Sequence, residues 1–432
     1  MTTSHFTSRV RFEMSTWASL AIVLALLEGG VIGVLIKNGF DGQVSDWLLN
    51  ISVAIATGAP FYSNLISFIW VKLSYGRNKA KVVSDLAVVC CLCAIAISFV
   101  PFSSNGLILL LGLLIIARIC WSGIMTIRSN IWRANYPRHV RGKVTAKLAT
   151  LAALLMSLSA ISAGWLLDWQ FSAFRWIYIG FACVSLFGAF RYRFLSVRHQ
   201  EKSLLNEQVS SHDTTFAQMF ALLNQNKPFG QYMLSMFVLG SGNLMFMAPL
   251  IVYLNEYTEL AKTNQILIST AIPLALIPIA VGWWARLLDG NHIFHFRSIH
   301  SWGFVSAISL FLTAAITGID WLFFIGSIFY GVAISGGVIG WNLGHNDFAG
   351  KASPVKANPM DYMAVHVTLT GIRGLFAPLL GISFYQWLES NQLGDGKFAL
   401  ILPLCVTTLG GILFVWFNRQ RVKEQQVVNS QP

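Results

Sequence analysis

Charge is what this 432-residue chain has least of: Asp, Glu, Lys and Arg make up 11% of it, against 55% hydrophobic residues and a mean hydropathy of +0.61. Soluble domains carry about a quarter charged residues, so composition alone excludes one. No polar stretch is longer than Arg191 to Lys227, which leaves no space for an extramembrane domain. A Gly-x4-Gly-Lys-Ser/Thr phosphate loop is missing, so an ATP-driven pump is not expected. The six cysteines all fall in apolar stretches, and Cys90, Cys91 and Cys93 have no His or carboxylate nearby. They read as small packing residues, and no metal, disulfide or cofactor is expected. A membrane enzyme would need clustered His, Asp or Glu at one interface. Asp41, Asp46, Asp168, Glu256, Glu259, Asp320, Glu389 and Asp395 are instead scattered with no His among them. The first apolar run is too long for a signal-peptide core and has no small-x-small cleavage site, so a retained helix is expected there.

What is present is a series of apolar runs long enough to cross a bilayer. They fall at 17–37, 47–70, 82–100, 105–127, 143–166, 174–194, 229–253, 263–286, 299–317, 321–344, 361–388 and 397–418. Lysines and arginines set their orientation. With the N-terminus inside, 24 of them lie in cytoplasmic segments, and only Lys37, Arg175, Lys262 and Lys397 lie outside. An odd number of spans would destroy that asymmetry, so both termini are expected in the cytoplasm. The net charge of +12 is then a consequence of topology, and no nucleic-acid partner is implied. The basic stretch from Arg128 to Lys147 reads as a topology determinant touching anionic membrane lipid.

Three ionisable residues interrupt the apolar runs. Glu28 sits at the centre of the first, Arg118 deep in the fourth and Arg373 in the eleventh. A charge at that depth costs several kcal/mol, about 2.5–3.5 on insertion scales, and marks a functional site by default. A desolvated carboxylate can exchange protons near neutral pH, which makes Glu28 a candidate proton site with Arg118 as its partner. A static ion pair fixing helix register is the other reading. Arg373 shares a helical face with His366, two turns away, and with Thr370 between them. No acid lies at comparable depth in the second half, so Arg373 could grip a carboxylate or phosphate with its planar fork. Hydrogen bonding to carbonyls loosened near Gly371, Gly374 and Pro378 is the alternative. Asn243, beside Gly240 and Gly242, is a candidate substrate hydrogen-bonder, and Pro249, Pro273 and Pro278 are expected to bend spans seven and eight. Gly336, Gly340 and Gly344 form a packing stripe in span ten that runs into Trp341 and Asn342, two further candidate ligands. Arg77, Arg133, Arg141 and Asp347 are candidates for a cytoplasmic gate.

The spans divide six and six about the polar segment, giving bundles over 1–194 and 229–418, a linker over 195–228 and a tail over 419–432. The fourth span of each half ends in an asparagine-rich exit, Asn130 to Asn135 and Asn342 to Asn346. Such weak internal repeats are how many secondary transporters are built. The chain resembles the major facilitator superfamily, a twelve-helix, all-α membrane fold. Arg118-Ile-Cys-Trp-Ser-Gly123 resembles that family's fourth-span pattern. Gly164-Trp-Leu-Leu-Asp168 with Phe174-Arg175-Trp176 resembles its fifth-to-sixth junction. Tyr75-Gly76-Arg77-Asn78-Lys79 resembles the tail of its signature loop, although Leu73 and Ser74 stand where Asp and Arg usually occur. The Gly-Pro motif of many drug exporters is absent from the fifth span. In the resembled fold helices one and four are neighbours facing a central cavity. The resemblance implies a secondary transporter in the cytoplasmic membrane, moving a small solute by alternating access, and nothing in the sequence demands more than a monomer. Proton coupling and an anionic or zwitterionic substrate fit the buried charges. A lipid, amphiphile or drug exporter and a transport-inactive sensor are the alternatives.

Overall fold

The computed structural model describes residues 3–198, 200, 216–348, 359–394 and 396–429, and among these every regular element is helical. Among the described residues, eleven helical stretches are long and apolar enough to cross a membrane. The expected second span is interrupted: α3 (Asp46–Tyr62) ends in a 3-10 turn, and α4 (Ser67–Ser74) follows. Pro60 lies two residues before the end of α3, and its carbonyl accepts from the side chains of Ser63 and Asn64 at 3.2 and 3.3 Å.

The first span also departs from a simple rod. It is two helices, α1 (Thr3–Leu26) and α2 (Gly29–Gly39), with Leu27 and Glu28 between them. Glu28 is extended (φ −69°, ψ 143°) and occupies the N-cap of α2. Glycines make this break possible by close approach. A side chain at Gly29 would meet the backbone of Thr57, and one at Gly30 would overlap Ser269 and Thr270.

Two compact units divide the chain, 1–213 with 259–274, and 214–258 with 275–432. In the first, α5 (Lys79–Ser98) packs on α6 (Ser104–Asn135) and α8 (Phe174–Tyr192). There α1 packs on α8 and on α7 (Arg138–Trp169). The short α12 (Lys262–Ile266) rests on α7, where the Asp168 carboxylate accepts the amides of Lys262 and Thr263 at 2.7 and 2.9 Å. A π-turn, Leu267–Ala271, follows α12 and precedes Pro273, which has no N–H for the carbonyl four residues back. The Ser157 hydroxyl of α7 donates to the Ala271 carbonyl at 2.8 Å.

The second unit holds α9 (Phe216–Gln225), α10 (Lys227–Met245), α11 (Met247–Glu256), most of α13 (Ile272–Asp289), α14 (Ile293–Thr317), α15 (Trp321–Leu343), α16 (Pro359–Ser390) and α17 (Ile401–Asn429). Here α10 packs on α16 and α17, and α14 on α15 and α17. Its core is aromatic: Phe229, Tyr232, Phe294, Phe348, Tyr362 and Phe414 interlock. The expected seventh span breaks at Phe246, three residues before Pro249. The linker expected over 195–228 lies partly outside the described residues, and its described end includes α9.

The N-terminus of α14 is doubly capped. The Asp347 carboxylate accepts the Ile293 amide at 2.7 Å, and His292 Nδ1 accepts the Phe294 amide at 3.2 Å. That acceptor exists only while His292 is neutral. Burial lowers the His292 pKa from its ordinary 6.5; Arg421 lowers it further and Asp347 opposes both. The native state therefore disfavours the proton, so this cap is intact above about pH 6.5 and weakens as pH falls through the window below it. Hydrogen exchange at the first α14 amides, corrected for intrinsic rate, should quicken below that pH. In His292→Asn, which caps without titrating, it should not.

Candidate functional site

The break in the first span and the arginine of the fourth come together in one unit. Arg118 Nη2 lies 3.0 Å from Glu28 Oε1. Its Nε donates to the Leu27 carbonyl at 3.1 Å, and Nη2 donates to the same oxygen. Tyr178 takes the Leu26 carbonyl at 2.8 Å. Both carbonyls released by the interruption are thus satisfied by side chains, the condition under which an unwound helix survives in a membrane. Arg118 is 3% exposed while Glu28 is 26% exposed. The guanidinium is fixed by three contacts, and the carboxylate retains an open flank. Beside them the Ser122 hydroxyl bonds to Asn64 Oδ1 at 3.1 Å.

A second buried pair in the same unit was not foreseen. Glu13 and Arg128 are both 0% exposed and 3.1 Å apart. Glu13 Oε1 also accepts from Trp132 Nε1 at 2.7 Å and Tyr192 at 3.4 Å, while Oε2 accepts from Tyr136 at 2.5 Å. Arg128 lies over the Trp17 ring, 3.1 Å from its centroid. The stretch expected as a basic loop from Arg128 is in fact helix: α6 runs to Asn135, and only Tyr136 and Pro137 separate it from α7. Burial and the neighbouring Glu13 carboxylate push the Tyr136 phenol well above its ordinary value, and Arg128 opposes them.

The second unit is different in kind. Arg373 donates from Nη1 to the Met236 carbonyl at 2.5 Å and from Nη2 to Thr370 at 3.1 Å. The carbonyl it uses belongs to α10 and not to the loosened turns near Gly371 and Gly374, which corrects that alternative. Gly240 allows the approach, since any side chain there would overlap the guanidinium. Thr370 passes the chain of bonds to the His366 carbonyl at 2.9 Å, and Trp341 Nε1 reaches Thr370 at 3.5 Å. Trp341 and His366 meet edge to face, 5.4 Å between centroids. Arg373, Thr370, His366 and Trp341 therefore form one cluster. Arg297 and His300, absent from the sequence expectation, are buried near the glycine stripe. His300 Nε2 faces the Ala333 carbonyl at 2.7 Å, so that nitrogen carries the proton and Nδ1 accepts from Arg297 at 3.2 Å. Among the described residues neither Arg297 nor Arg373 makes an ion pair. Arg297 Nε and Nη2, Arg373 Nε and both ring nitrogens of His366 have no hydrogen-bond partner.

The remaining candidates are dispersed. Asn243 is half-buried with Oδ1 unpartnered, and Asn342 is exposed with its amide turned back to the Val338 carbonyl at 2.7 Å. Arg77 and Arg133 are exposed. Arg141 bonds to the carbonyls of Tyr136 and Arg133, both at 3.2 Å, which pins the α6–α7 turn. Asp347 caps α14. In the signature-like loop the buried Lys79 holds the Ser74 carbonyl at 2.6 Å, and Asn78 caps α5.

A helical bundle of this kind, with a buried ion pair at an unwound helix, defines a multi-pass membrane protein. The sequence pattern of the Major Facilitator Superfamily matches residues 18–358, and the chain belongs to that superfamily. Among solved structures it is similar to a D-xylose–proton symporter (TM-score 0.71, 13% identity, 94% of this chain and 96% of that one). It is also similar to a mutant of the nucleoside transporter NupG (TM-score 0.67, 12% identity, 95% and 99%). A third similarity is to a bacterial homologue of the human lysosomal transporter Spinster (TM-score 0.64, 13% identity, 98% and 99%). At such identities the likeness is one of fold. No curated protein matches the chain in sequence.

Proposed function

We propose that the chain is a proton-coupled secondary transporter of a small anionic or zwitterionic solute in the cytoplasmic membrane, working as a monomer by alternating access of its two six-helix halves, 1–194 and 229–418. The observation that carries this reading is the Glu28–Arg118 pair at the interruption of the first span. Protonating Glu28 removes the attraction to Arg118 and leaves the arginine bonded to the Leu27 carbonyl alone. The α1–α2 junction then loses one of its ties, so the state of one proton is linked to the geometry of a helix break. The proton symporter among the structural relatives is consistent with such coupling.

The substrate class follows from a contrast between buried arginines. Arg118 and Arg128 each have a glutamate, whereas Arg373 and Arg297 have none among the described residues. A buried cation without a counter-charge is costly, and an anionic ligand gripped by the Arg373 fork would relieve it. Thr370, His366, Trp341, Asn342 and Asn243 supply hydrogen-bonding and aromatic surface for its neutral part. Arg77, Arg133, Arg141 and Asp347 are assigned to the cytoplasmic gate.

Thermal-shift screening of purified protein against carboxylates, phosphates, sugars and organic cations tests this directly. Anions should stabilise the wild type. Arg373→Ala should weaken the best anion by about tenfold or more, the loss of one charge-assisted fork. Gly240→Ala, which displaces the guanidinium but keeps its charge, should weaken it as well. Stabilisation by sugars or cations alone, or by anions equally in all three proteins, would refute the anion assignment.

A further inference from the structure

A groove of about 610 Å³ opens on the second unit where α9, α10 and α16 meet. That volume is ample for a ligand, since small-molecule sites span roughly 300–1,000 Å³. Its walls are apolar along Met233, Leu234, Phe237 and Leu369, and polar at one end, where Asn224, Lys227 and Gln231 converge. Lys227 opens α10 and is exposed, and among the described residues no carboxylate lies within ion-pair distance of it. Leu234 is 52% exposed, an apolar side chain left uncovered by protein. The polar end and Phe237 are ten residues apart on one helix, about 15 Å along its axis. Half of a hydrocarbon core of about 30 Å is the same length, the depth of a single leaflet.

The groove is built into the fold. Asn226 caps α10 through the Phe229 amide at 3.2 Å, and its amide nitrogen donates to the Phe348 carbonyl and to Tyr362 at 3.3 and 3.1 Å. Gly230 lets α9 cross closely, since a side chain there would strike the Leu223 carbonyl. Phe237 is braced by Phe376, 5.8 Å between centroids. The start of α10 is therefore held at a fixed point, and by the lysine and arginine asymmetry that end faces the cytoplasmic leaflet.

We propose that this groove binds one anionic phospholipid of the cytoplasmic leaflet, its phosphate at Lys227 and an acyl chain along Leu234 and Phe237. A cation with amide donors at headgroup level above a one-leaflet apolar track matches a lipid in both charge and length. A soluble anion would leave the apolar walls unused. None of the residues that line the groove is assigned to the Arg373 cluster, so the proposal does not rest on the transport reading.

Native mass spectrometry of the full-length protein in detergent, with phosphatidylglycerol and phosphatidylcholine of identical chains, provides the test. The wild type should retain phosphatidylglycerol about fivefold better, the factor one lysine contributes against an anionic headgroup. Lys227→Gln should bind the two lipids alike. Leu234→Trp and Leu369→Trp, which fill the track from opposite walls, should each reduce retention of both lipids, with folding checked by thermal unfolding. The proposal is overturned if the wild type does not discriminate, if Lys227→Gln keeps the preference, or if both folded tryptophan variants retain lipid as before. Displacement of the lipid by equimolar glycerol phosphate would overturn it too, because the site would then be one for a soluble anion.

Discussion

Glu28→Gln should abolish uphill accumulation of substrate driven by a pH gradient while leaving substrate counterflow in place. Glutamine keeps the size and hydrogen-bonding ends of the side chain but carries no charge to lose. Arg118 would keep its bonds to the Leu27 carbonyl, so the broken helix should survive. In proteoliposomes the expected loss of gradient-driven accumulation is at least about tenfold, the scale of one buried charge interaction of about 1.4 kcal/mol. Undiminished accumulation in this variant would remove Glu28 as the proton site. Loss of counterflow as well would point to a static pair that holds the first and fourth spans together.

Glu13→Ala is the second large effect, and it is one of stability. Arg128 would be left fully buried with Nε and Nη1 already unpartnered and its one counter-charge among the described residues gone. Breaking a buried pair from one side costs about 3–5 kcal/mol. The exposed pair Arg193–Asp85, 3.3 Å apart, is the control: Asp85→Ala should cost about 1 kcal/mol or less. Glu13→Gln combined with Arg128→Met should recover most of the loss, because charge and counter-charge leave together. Thermal unfolding in detergent reads all three. Equal midpoints for Glu13→Ala and Asp85→Ala would show that the buried network contributes no more than a surface contact.

The contrast between these pairs shows what a linear sequence discloses in a membrane protein. Apolar run length reports spans directly, because the bilayer fixes the length that must be apolar. A charge in mid-run, as at Glu28, Arg118 or Arg373, stands out for the same reason, and the partnership of Glu28 with Arg118 follows once the resemblance makes the two helices neighbours. Glu13, Arg128 and Arg297 stand near the ends of runs, where charged residues are ordinary. Whether such a charge points to water or into the bundle depends on which helix covers it, and the run carries no amphipathic period to tell. By position Arg128 and Arg297 count with the cytoplasmic cations, and nothing in the sequence marks them as buried. The break at Leu27–Glu28 was hidden differently. Gly29 and Gly30 do not by themselves mark a break in the sequence, and their close approach to Thr57, Ser269 and Thr270 is visible only in the fold. Breaks in spans seven and eight were legible from prolines, though the first falls at Phe246 and the second takes the form of a π-turn.

The two compact units do not follow chain order throughout. Residues 259–274 are the exception: they belong with the first unit, tied by Asp168 and Ser157. Asp168 ends a motif recognisable in sequence, and its structural task is to cap two amides of a distant segment. A motif can thus be read correctly as a family mark while its physical role stays invisible until the chain is folded.

The most direct test of the account is a pH step across sealed proteoliposomes holding the wild-type protein and its best-stabilising anion on both sides. The account predicts net movement of the anion against its own gradient, with protons moving alongside it and collapse of both fluxes when an ionophore dissipates the step. Anion movement that merely equilibrates, at the same rate whether or not the step is imposed, would contradict it.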